Sequence, residues 1–329
     1  MLAIRVHEFG DASHLLAEDL PVPQPKAGEV RVKIAATGLN FTDIYQRKGL
    51  YPNPLPFTVG GEFAGVVDAV GAEAQDLWQV GDRVGTAGGV GGYAEYGMAA
   101  ASRLVAVPAA ISLEQAAAVL LQGMTAHYLA FSTYPLKAGD TCLVHAAAGG
   151  VGLLLVQLAK HCGARVIGTV STEEKAQLAR EAGADEIILY TQTDFEAETR
   201  RLTGGKGVDV VYDSVGKTTF LKGFNVLKPC GMMVLYGQSS GPVDPIDQQL
   251  LNTKGSLFLT RPTLGAYTLG RDALMKRASD LFGWMASIQE DGRRKLTVRI
   301  DRTFRLKDAA AAQTYMEERA TRGKVLLIP

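Results

Sequence analysis

Between Thr141 and Gly168 the chain reads TCLVHAAAGGVGLLLVQLAKHCGARVIG: an apolar strand, a glycine-rich turn, a helix and a second strand. That succession constrains the fold more than any other feature. Strands joined by a crossover helix lie parallel in one sheet, and a glycine-rich first turn lets the backbone approach a dinucleotide pyrophosphate. The turn Ala146-Ala147-Ala148-Gly149-Gly150-Val151-Gly152 departs from G-x-G-x-x-G by placing alanines first. The physical requirements survive the change. Gly149 and Gly150 hold no side chain against the phosphates, and Gly152 lets the helix pack closely on the strand. Free N–H groups at the helix start face the anion. The expected phosphate cradle is therefore Ala148, Gly149, Gly150, Val151 and Gly152, and the expected ligand is a pyridine dinucleotide.

The second strand decides which one. An NAD site usually carries an acidic residue about 20 residues after the glycines, where it binds the adenosine ribose. Here the strand ends Thr169-Val170-Ser171 with no carboxylate. Ser171 and Lys175 offer a hydroxyl and a cation instead, which suit a ribose 2′-phosphate and point to NADPH. Ser171 also fits a second role, since Ser171-Thr172-Glu173-Glu174 has the form of a capping box for the next helix. Lys175 has the alternative reading of a solvated surface lysine.

At 329 residues, with 47% hydrophobic and 21% charged residues, the chain has the length of about two globular domains with real cores. Lys plus Arg balances Asp plus Glu at 34 each, so net charge predicts neither nucleic acid nor an anionic membrane as partner. The N-terminal MLAIRVHEFGD has no signal-peptide or transit pattern, and no run of about 18 apolar residues occurs, so a cytoplasmic protein without membrane spans is expected. Cys142, Cys162 and Cys230 are too few and scattered for a disulfide framework or a structural zinc site. They read as reduced packing residues.

Up to about residue 120, short β patterns punctuated by Gly and Pro (EVRVKIAATGL, GEFAGVVDAVG, GDRVGTAG, GYAEYGMAA) indicate a β-rich domain. From Leu113 the pattern turns helical. Strands are then expected near Arg165–Val170, Glu186–Leu189, Val208–Asp213, Gly231–Tyr236 and Ser256–Thr260, with helices between them, which gives a doubly wound parallel sheet. After Arg261-Pro262, a helical stretch from Gly270 to Gln289, a strand KLTVRI, a helix DAAAAQTYMEE and a strand KVLLIP are expected to pack back on the N-terminal domain. The glycines at 88–92 read as a β-turn cluster, and Gly204-Gly205-Lys206-Gly207 as a helix stop, since the Ser or Thr of a P-loop is missing.

The segments Gly38-Leu39-Asn40-Phe41-Thr42-Asp43-Ile44-Tyr45-Gln46-Arg47-Lys48-Gly49-Leu50-Tyr51, Gly60-Gly61-Glu62-Phe63-Ala64-Gly65, the AAAGGVG turn, Asp213-Ser214-Val215-Gly216 and Thr260-Arg261-Pro262 together resemble the medium-chain dehydrogenase/reductase superfamily. Within it they resemble the zinc-free quinone oxidoreductases related to zeta-crystallin. The likeness spans essentially the whole chain. It implies an α/β chain with a GroES-like catalytic domain (residues 1–123 and 264–329) and a Rossmann domain (residues 124–263). The family's active cleft lies between such domains, usually in a homodimer. Zinc members place a cysteine in the first segment and a histidine before the Glu of the second; here Asn40 and Gly61 stand there, so no metal is expected. His7, His14, His127, His145 and His161 show no paired ligand spacing.

A quinone becomes an aromatic hydroquinone on reduction and asks for less stabilisation of oxygen charge than a ketone, which suits a site without a Lewis acid. Positioning and a few hydrogen-bond donors suffice. Tyr45 and Tyr51 are the candidate donors, because a tyrosine stays protonated near neutrality; the alternative is ring packing. The resemblance implies that both lie at the substrate pocket and Asn40 near the nicotinamide. It also implies Tyr190 as a lid on the 2′-phosphate, Arg319 as a phosphate partner, and Thr125, Ser214, Gly216, Gly237, Gln238 and Ser239 along the nucleotide. Arg319 also reads as a plain surface charge, and Gln238 stands where a shorter Asn is expected. The expected activity is NADPH-dependent reduction of a quinone or related electrophile, with reduction of α,β-unsaturated carbonyls as the alternative. A crystallin-like structural or RNA-binding role is a third reading, and the balanced charge disfavours RNA.

Overall fold

In the computed structural model, which describes residues 1–290 and 292–329, the chain forms two compact units: residues 1–124 with 268–329, and residues 125–267. The first unit opens with strands β1 (Leu2–Val6), β2 (Leu16–Asp19) and β3 (Glu29–Leu39), helix α1 (Phe41–Arg47), and strands β4 (Phe57–Thr58) and β5 (Phe63–Val70). Strands β6 (Arg83–Thr86), β7 (Tyr96–Ala100) and β8 (Val105–Ala106) follow, then helix α2 (Leu113–Tyr128). The long strand β3 organises this unit. Its sequence alternates, so Val30, Val32 and Ile34 enter the core beside Phe63, Val67 and Val84, while Lys33 faces solvent. Strand β5 covers one edge of it. The first half of the other edge pairs with β7 through Glu29–Lys33.

The second unit is an uninterrupted β/α alternation. It contains β9 (Thr141–Val144), α3 (Gly150–His161), β10 (Arg165–Val170), α4 (Glu173–Glu181), β11 (Glu186–Leu189) and α5 (Phe195–Leu202). Next come β12 (Val208–Asp213), α6 (Phe220–Gly223), β13 (Leu227–Leu235), α7 (Gln249–Thr253), β14 (Phe258–Thr260) and α8 (Leu264–Tyr267). The sheet order is β11-β10-β9-β12-β13-β14 and every pair is parallel. The order in which successive strands are added reverses between β9 and β12, the switch point at which a doubly wound sheet binds ligands beyond its carboxyl edge. The strands are nearly continuous apolar runs because helices cover both faces. Gly204 and Gly205 follow α5 with positive φ and donate to the carbonyls of Arg201 and Arg200, which ends that helix.

The chain then returns to the first unit with α9 (Arg271–Ala286), β15 (Ile300–Arg305), α10 (Ala309–Glu317) and β16 (Lys324–Ile328). Strand β16 pairs antiparallel with Thr37–Leu39 of β3, so Val325 and Leu327 share a core with Ile4, Val6, Leu39 and Ile44. Two local expectations shift. The strand assigned to KLTVRI begins where that motif ends: Ile300 is the first residue to pair with β16, whereas Leu296 is buried in a bend, its N–H on the Trp284 carbonyl. Helix α4 is capped by Thr172, whose Oγ1 accepts the Lys175 N–H, rather than by Ser171, because Thr172 is the last residue with extended backbone.

The close approach at the glycine turn is testable. A Cβ on Gly152 would stand 2.3 Å from the Ala146 carbonyl oxygen and 2.9 Å from Ala147 Cα, and backbone cannot swing away as a side chain can. Gly152→Ala is expected to lose about 1–3 kcal/mol of stability, read from urea unfolding curves. A midpoint equal to the parent's would show that the turn relaxes freely.

Candidate active site

Five segments of the second unit gather at the carboxyl edge of its sheet, following β9, β10, β11, β12 and β13. After β9, Ala146 takes a left-handed φ of 51° and turns the chain. Gly149 caps α3 with extended backbone, and Gly150, Val151 and Gly152 follow as its first residues. Those N–H groups have no carbonyl one turn back and stay open to an anion. Ala148 is buried beneath them. Under the turn, His145 is buried and bonded through Nδ1 to Thr169 Oγ1 at 2.9 Å. Burial holds its pKa below the usual range, so it is a neutral support.

After β10 come Ser171 and, in the first turn of α4, Lys175; after β11 comes Tyr190, 43% exposed. Strands β10 and β11 are neighbours in register, with Val170 opposite Leu189, so these three residues share one corner of the sheet. With Thr172 acting as the cap, the Ser171 hydroxyl is not committed to the helix. After β12, buried Asp213 shapes the next turn: Oδ1 accepts the N–H groups of Val215 (2.7 Å) and Gly216 (3.0 Å), and Oδ2 accepts Thr219 Oγ1 at 2.8 Å. Gly216 there has a φ of 86°. Gly237, Gln238 and Ser239 follow β13 and hydrogen-bond back across this turn: the Gly237 N–H bonds the Asp213 carbonyl and the Ser239 N–H that of Ser214. Gln238 Oε1 lies 3.4 Å from Arg261 Nη2, and the Ser214 side chain hydrogen-bonds that of Tyr236. Thr125 is buried on α2, its side chain bonded to that of Tyr128. Arg319 belongs to the first unit, just past α10, with a φ of 57°.

The first unit holds the predicted substrate residues on and after α1. Asn40 caps the helix, and its N–H donates to Asp43 Oδ2 at 2.9 Å. Tyr45 is 7% exposed and Tyr51 41% exposed, with ring centroids 5.3 Å apart in an edge-on arrangement. The N–H groups of Leu50 and Tyr51 both reach the Tyr45 carbonyl, which folds the loop onto the helix. Asn40 is occupied more fully than its sequence role implied. Its Nδ2 donates to Gly38 O (3.1 Å) and Glu62 Oε2 (2.8 Å), while Oδ1 accepts from Lys324 Nζ (2.8 Å) and Gln122 Nε2 (3.4 Å). Both amide hydrogens are spent inside the protein.

Glu62, Lys324, Gln122 and Asp43 are residues that sequence reasoning passed over. Glu62 was visible as the motif acid that zinc members precede with a histidine, but with no partner, and Lys324 only as a cation opening an apolar strand. In the fold Lys324 Nζ lies 2.5 Å from Glu62 Oε2, with both side chains buried, and the Leu121 N–H donates to Glu62 Oε1 at 2.6 Å.

Two family models match: residues 26–109 fit the alcohol dehydrogenase GroES-like domain and residues 150–283 the zinc-binding dehydrogenase domain. The quinone oxidoreductase of Pseudomonas aeruginosa is 44% identical over 99% of both chains. The 2-haloacrylate reductase of Burkholderia sp is 42% identical over 100% of this chain and 99% of its own. The crystal structure of the Escherichia coli quinone oxidoreductase complexed with NADPH superposes with a TM-score of 0.96 at 42% identity, covering all of both chains. The chain belongs to the quinone oxidoreductase family. That is a branch of the medium-chain dehydrogenase/reductase superfamily, with the Rossmann-like and GroES-like architecture expected.

The zinc named by one family model does not fit these residues. Gly61 has no side chain, Asn40 turns its donor nitrogen toward Glu62, and an ammonium already sits against the Glu62 carboxylate. A divalent cation there would meet a buried positive charge instead of thiolate and imidazole ligands. Among the described residues no group of three His, Cys, Asp or Glu could hold a metal ion. A dinucleotide does fit: a Cβ on Gly149 would meet the Ala146 oxygen at 3.1 Å, and one on Gly237 the Ser214 oxygen at 2.7 Å, so the backbone turns that would receive it are closely built. No helix among the described residues is long and apolar enough to cross a membrane.

Behind α1, Asp43 accepts from Tyr93 Oη at 3.0 Å, and burial pushes its pKa from 3.8 up to about 7 against the opposing pull of its hydrogen bonds and Lys324. The folded protein therefore holds this proton more tightly than the unfolded chain. The associated stability is complete below the unfolded value near pH 4 and is lost as pH rises through about 7. Asp43→Asn keeps an oxygen for both donors and removes the titration. Relative to the parent, the variant is expected to gain thermal stability steadily from pH 4 to 7 and then plateau; a difference constant with pH would assign Asp43 an ordinary pKa.

Proposed function

We propose that this protein is an NADPH-dependent quinone reductase that works without a metal ion. The observation that carries the reading is the corner formed by Ser171, Lys175 and Tyr190, where a hydroxyl, a cation and an aromatic ring stand in place of an NAD-type carboxylate. The full-length likeness to a quinone oxidoreductase complexed with NADPH supports it. Ser171 and Lys175 bind the 2′-phosphate and Tyr190 covers it. The N–H groups of Gly150 and Val151 take the pyrophosphate, with Ala148, Gly149 and Gly152 allowing the approach. Ser214, Gly216, Gly237, Gln238 and Ser239 line the rest of the nucleotide's path, Thr125 flanks it, and Arg319 is a further phosphate partner.

When bound, NADPH supplies the hydride that, with one proton, converts a quinone to a hydroquinone. Tyr45 and Tyr51 orient the acceptor by donating to its oxygens. Asn40, with no amide hydrogen left to give, acts by fixing the start of α1. A second reading has its own support: the 42% identity to a 2-haloacrylate reductase favours an electron-poor alkene as an alternative acceptor on the same scaffold. NADPH oxidation with a benzoquinone and with a conjugated enone, side by side, decides between them.

We also propose a cytoplasmic homodimer. Edge strand β14 ends the parallel sheet with Phe258 57% exposed and Leu259 38% exposed, an unpaired apolar edge of the kind a second copy covers.

Lys175→Ala removes one charge-assisted bond to the 2′-phosphate, so NADPH affinity is expected to fall about 10- to 100-fold while NADH is barely affected. Equal losses for both cofactors would remove Lys175 from the phosphate site. For the acceptor, Tyr45→Phe and Tyr51→Phe keep the rings and lose the hydroxyls. Each is expected to lower kcat with small quinones by the worth of one neutral hydrogen bond, about 0.5–1.5 kcal/mol, with NADPH affinity unchanged. A loss of about a thousandfold, roughly 4 kcal/mol, would make that tyrosine an obligatory proton donor and favour the enone reading.

A further inference from the structure

Lys324 is the first residue of β16, 284 positions from Asn40 in sequence, yet its buried ammonium joins three elements. It donates to Asn40 Oδ1 at the junction of β3 and α1 and to the Glu62 carboxylate ahead of β5. Through Glu62 Oε1 it is linked to the Leu121 N–H within α2. A buried ion pair of this kind returns little net stability, because the desolvation of both charges offsets their attraction; its best-supported use is to fix one arrangement over others. What this pair fixes is the Asn40 side chain, and with it the residue that precedes the short helix, whose backbone N–H is held by Asp43 Oδ2. That helix presents Tyr45 and turns back to Tyr51. The surroundings are tight: a Cβ on Gly38 would meet Glu62 Oε2 at 2.4 Å, Lys324 Cε at 2.7 Å and the Ala117 oxygen at 2.3 Å.

We infer that Lys324 is a positioning residue for the reduction proposed above, its ammonium serving as a built-in cation that holds Asn40 and Glu62, and through them the tyrosine loop, in the geometry that receives the acceptor. The inference rests on the quinone-reductase reading for its kinetic arm only. The cation's hold on α1 rests on the geometry alone.

The test uses the full-length protein with NADPH and 1,4-benzoquinone. Lys324→Ala leaves room for a small amine and is expected to lower kcat/KM for benzoquinone by about 10- to 100-fold, with the KM for NADPH held within about threefold. Ethylammonium at matched ionic strength is expected to restore much of the turnover and raise the melting temperature of this variant. Tetramethylammonium, with the same charge and no N–H donor, is expected to do neither. Because Lys324→Ala strands a buried carboxylate, a second variant combines Lys324→Met with Glu62→Gln. It carries no unpaired charge and is expected to melt near the parent temperature while keeping the loss in kcat/KM. Parent-like turnover by this neutral pair would overturn the inference, as would an identical response of Lys324→Ala to the two amines. The melting arm needs no acceptor: a parent protein that leaves benzoquinone unreduced refutes the proposed function, whereas an amine-blind melting curve refutes the place given to the ammonium.

Discussion

The carboxylate of Glu62 has no access to water, and a buried charge persists only where donors converge on it. Three do so: the Asn40 amide, the Lys324 ammonium and the Leu121 backbone N–H. Each comes from a different part of the chain, so satisfying one acid ties the end of β3, the C-terminal strand and the middle of α2 together. The placement of α1, and with it the two tyrosines, follows from that tie. The second network behind α1 has the same logic. Arg47, fully buried, donates to Gln313 Oε1 at 2.7 Å and to Glu317 Oε2 at 2.9 Å on α10, while Asp43 on the same helix takes Tyr93. A helix of seven residues is too short to hold itself in water; these side chains hold it.

The nucleotide unit depends on a different constraint, the close approach of backbone to backbone. Its turns after β9, β12 and β13 lie at one edge because all the strands run parallel. Glycines let the first turn come close, whereas Asp213 fixes the second by accepting two consecutive N–H groups. Packing in this unit is apolar and continuous; polar side chains concentrate where the strands end.

The pairing of an ammonium and an amide with the Glu62 carboxylate has a chemical consequence. A zinc ion stabilises oxyanion charge as a Lewis acid. A lysine already bonded to a carboxylate is spent on structure. Such a site suits acceptors whose reduced form is stable without strong charge stabilisation, which is the physical reason that quinones, and activated alkenes after them, are the substrates proposed.

The sequence by itself determined the parallel β/α unit, the glycine-rich turn after its first strand, the placing of Ser171, Lys175 and Tyr190 after neighbouring strands, and the return of the C-terminal strand to the first unit. These depend on local period and residue type, and β10, β11, β12 and β16 fall where the apolar runs lie. The segment with Tyr45 on α1 and Tyr51 after it stood out as a contiguous motif carrying the family resemblance. Tertiary structure alone decided the rest. Alternation in KLTVRI could not say where pairing with β16 begins, because register is set by the partner strand. Nor could two adjacent hydroxyl residues say which one caps α4, since that depends on where extended backbone ends. Above all, nothing local joins Asn40 to Lys324. A buried charge chooses its partner by proximity in space, and 284 residues of intervening chain leave that proximity to the fold.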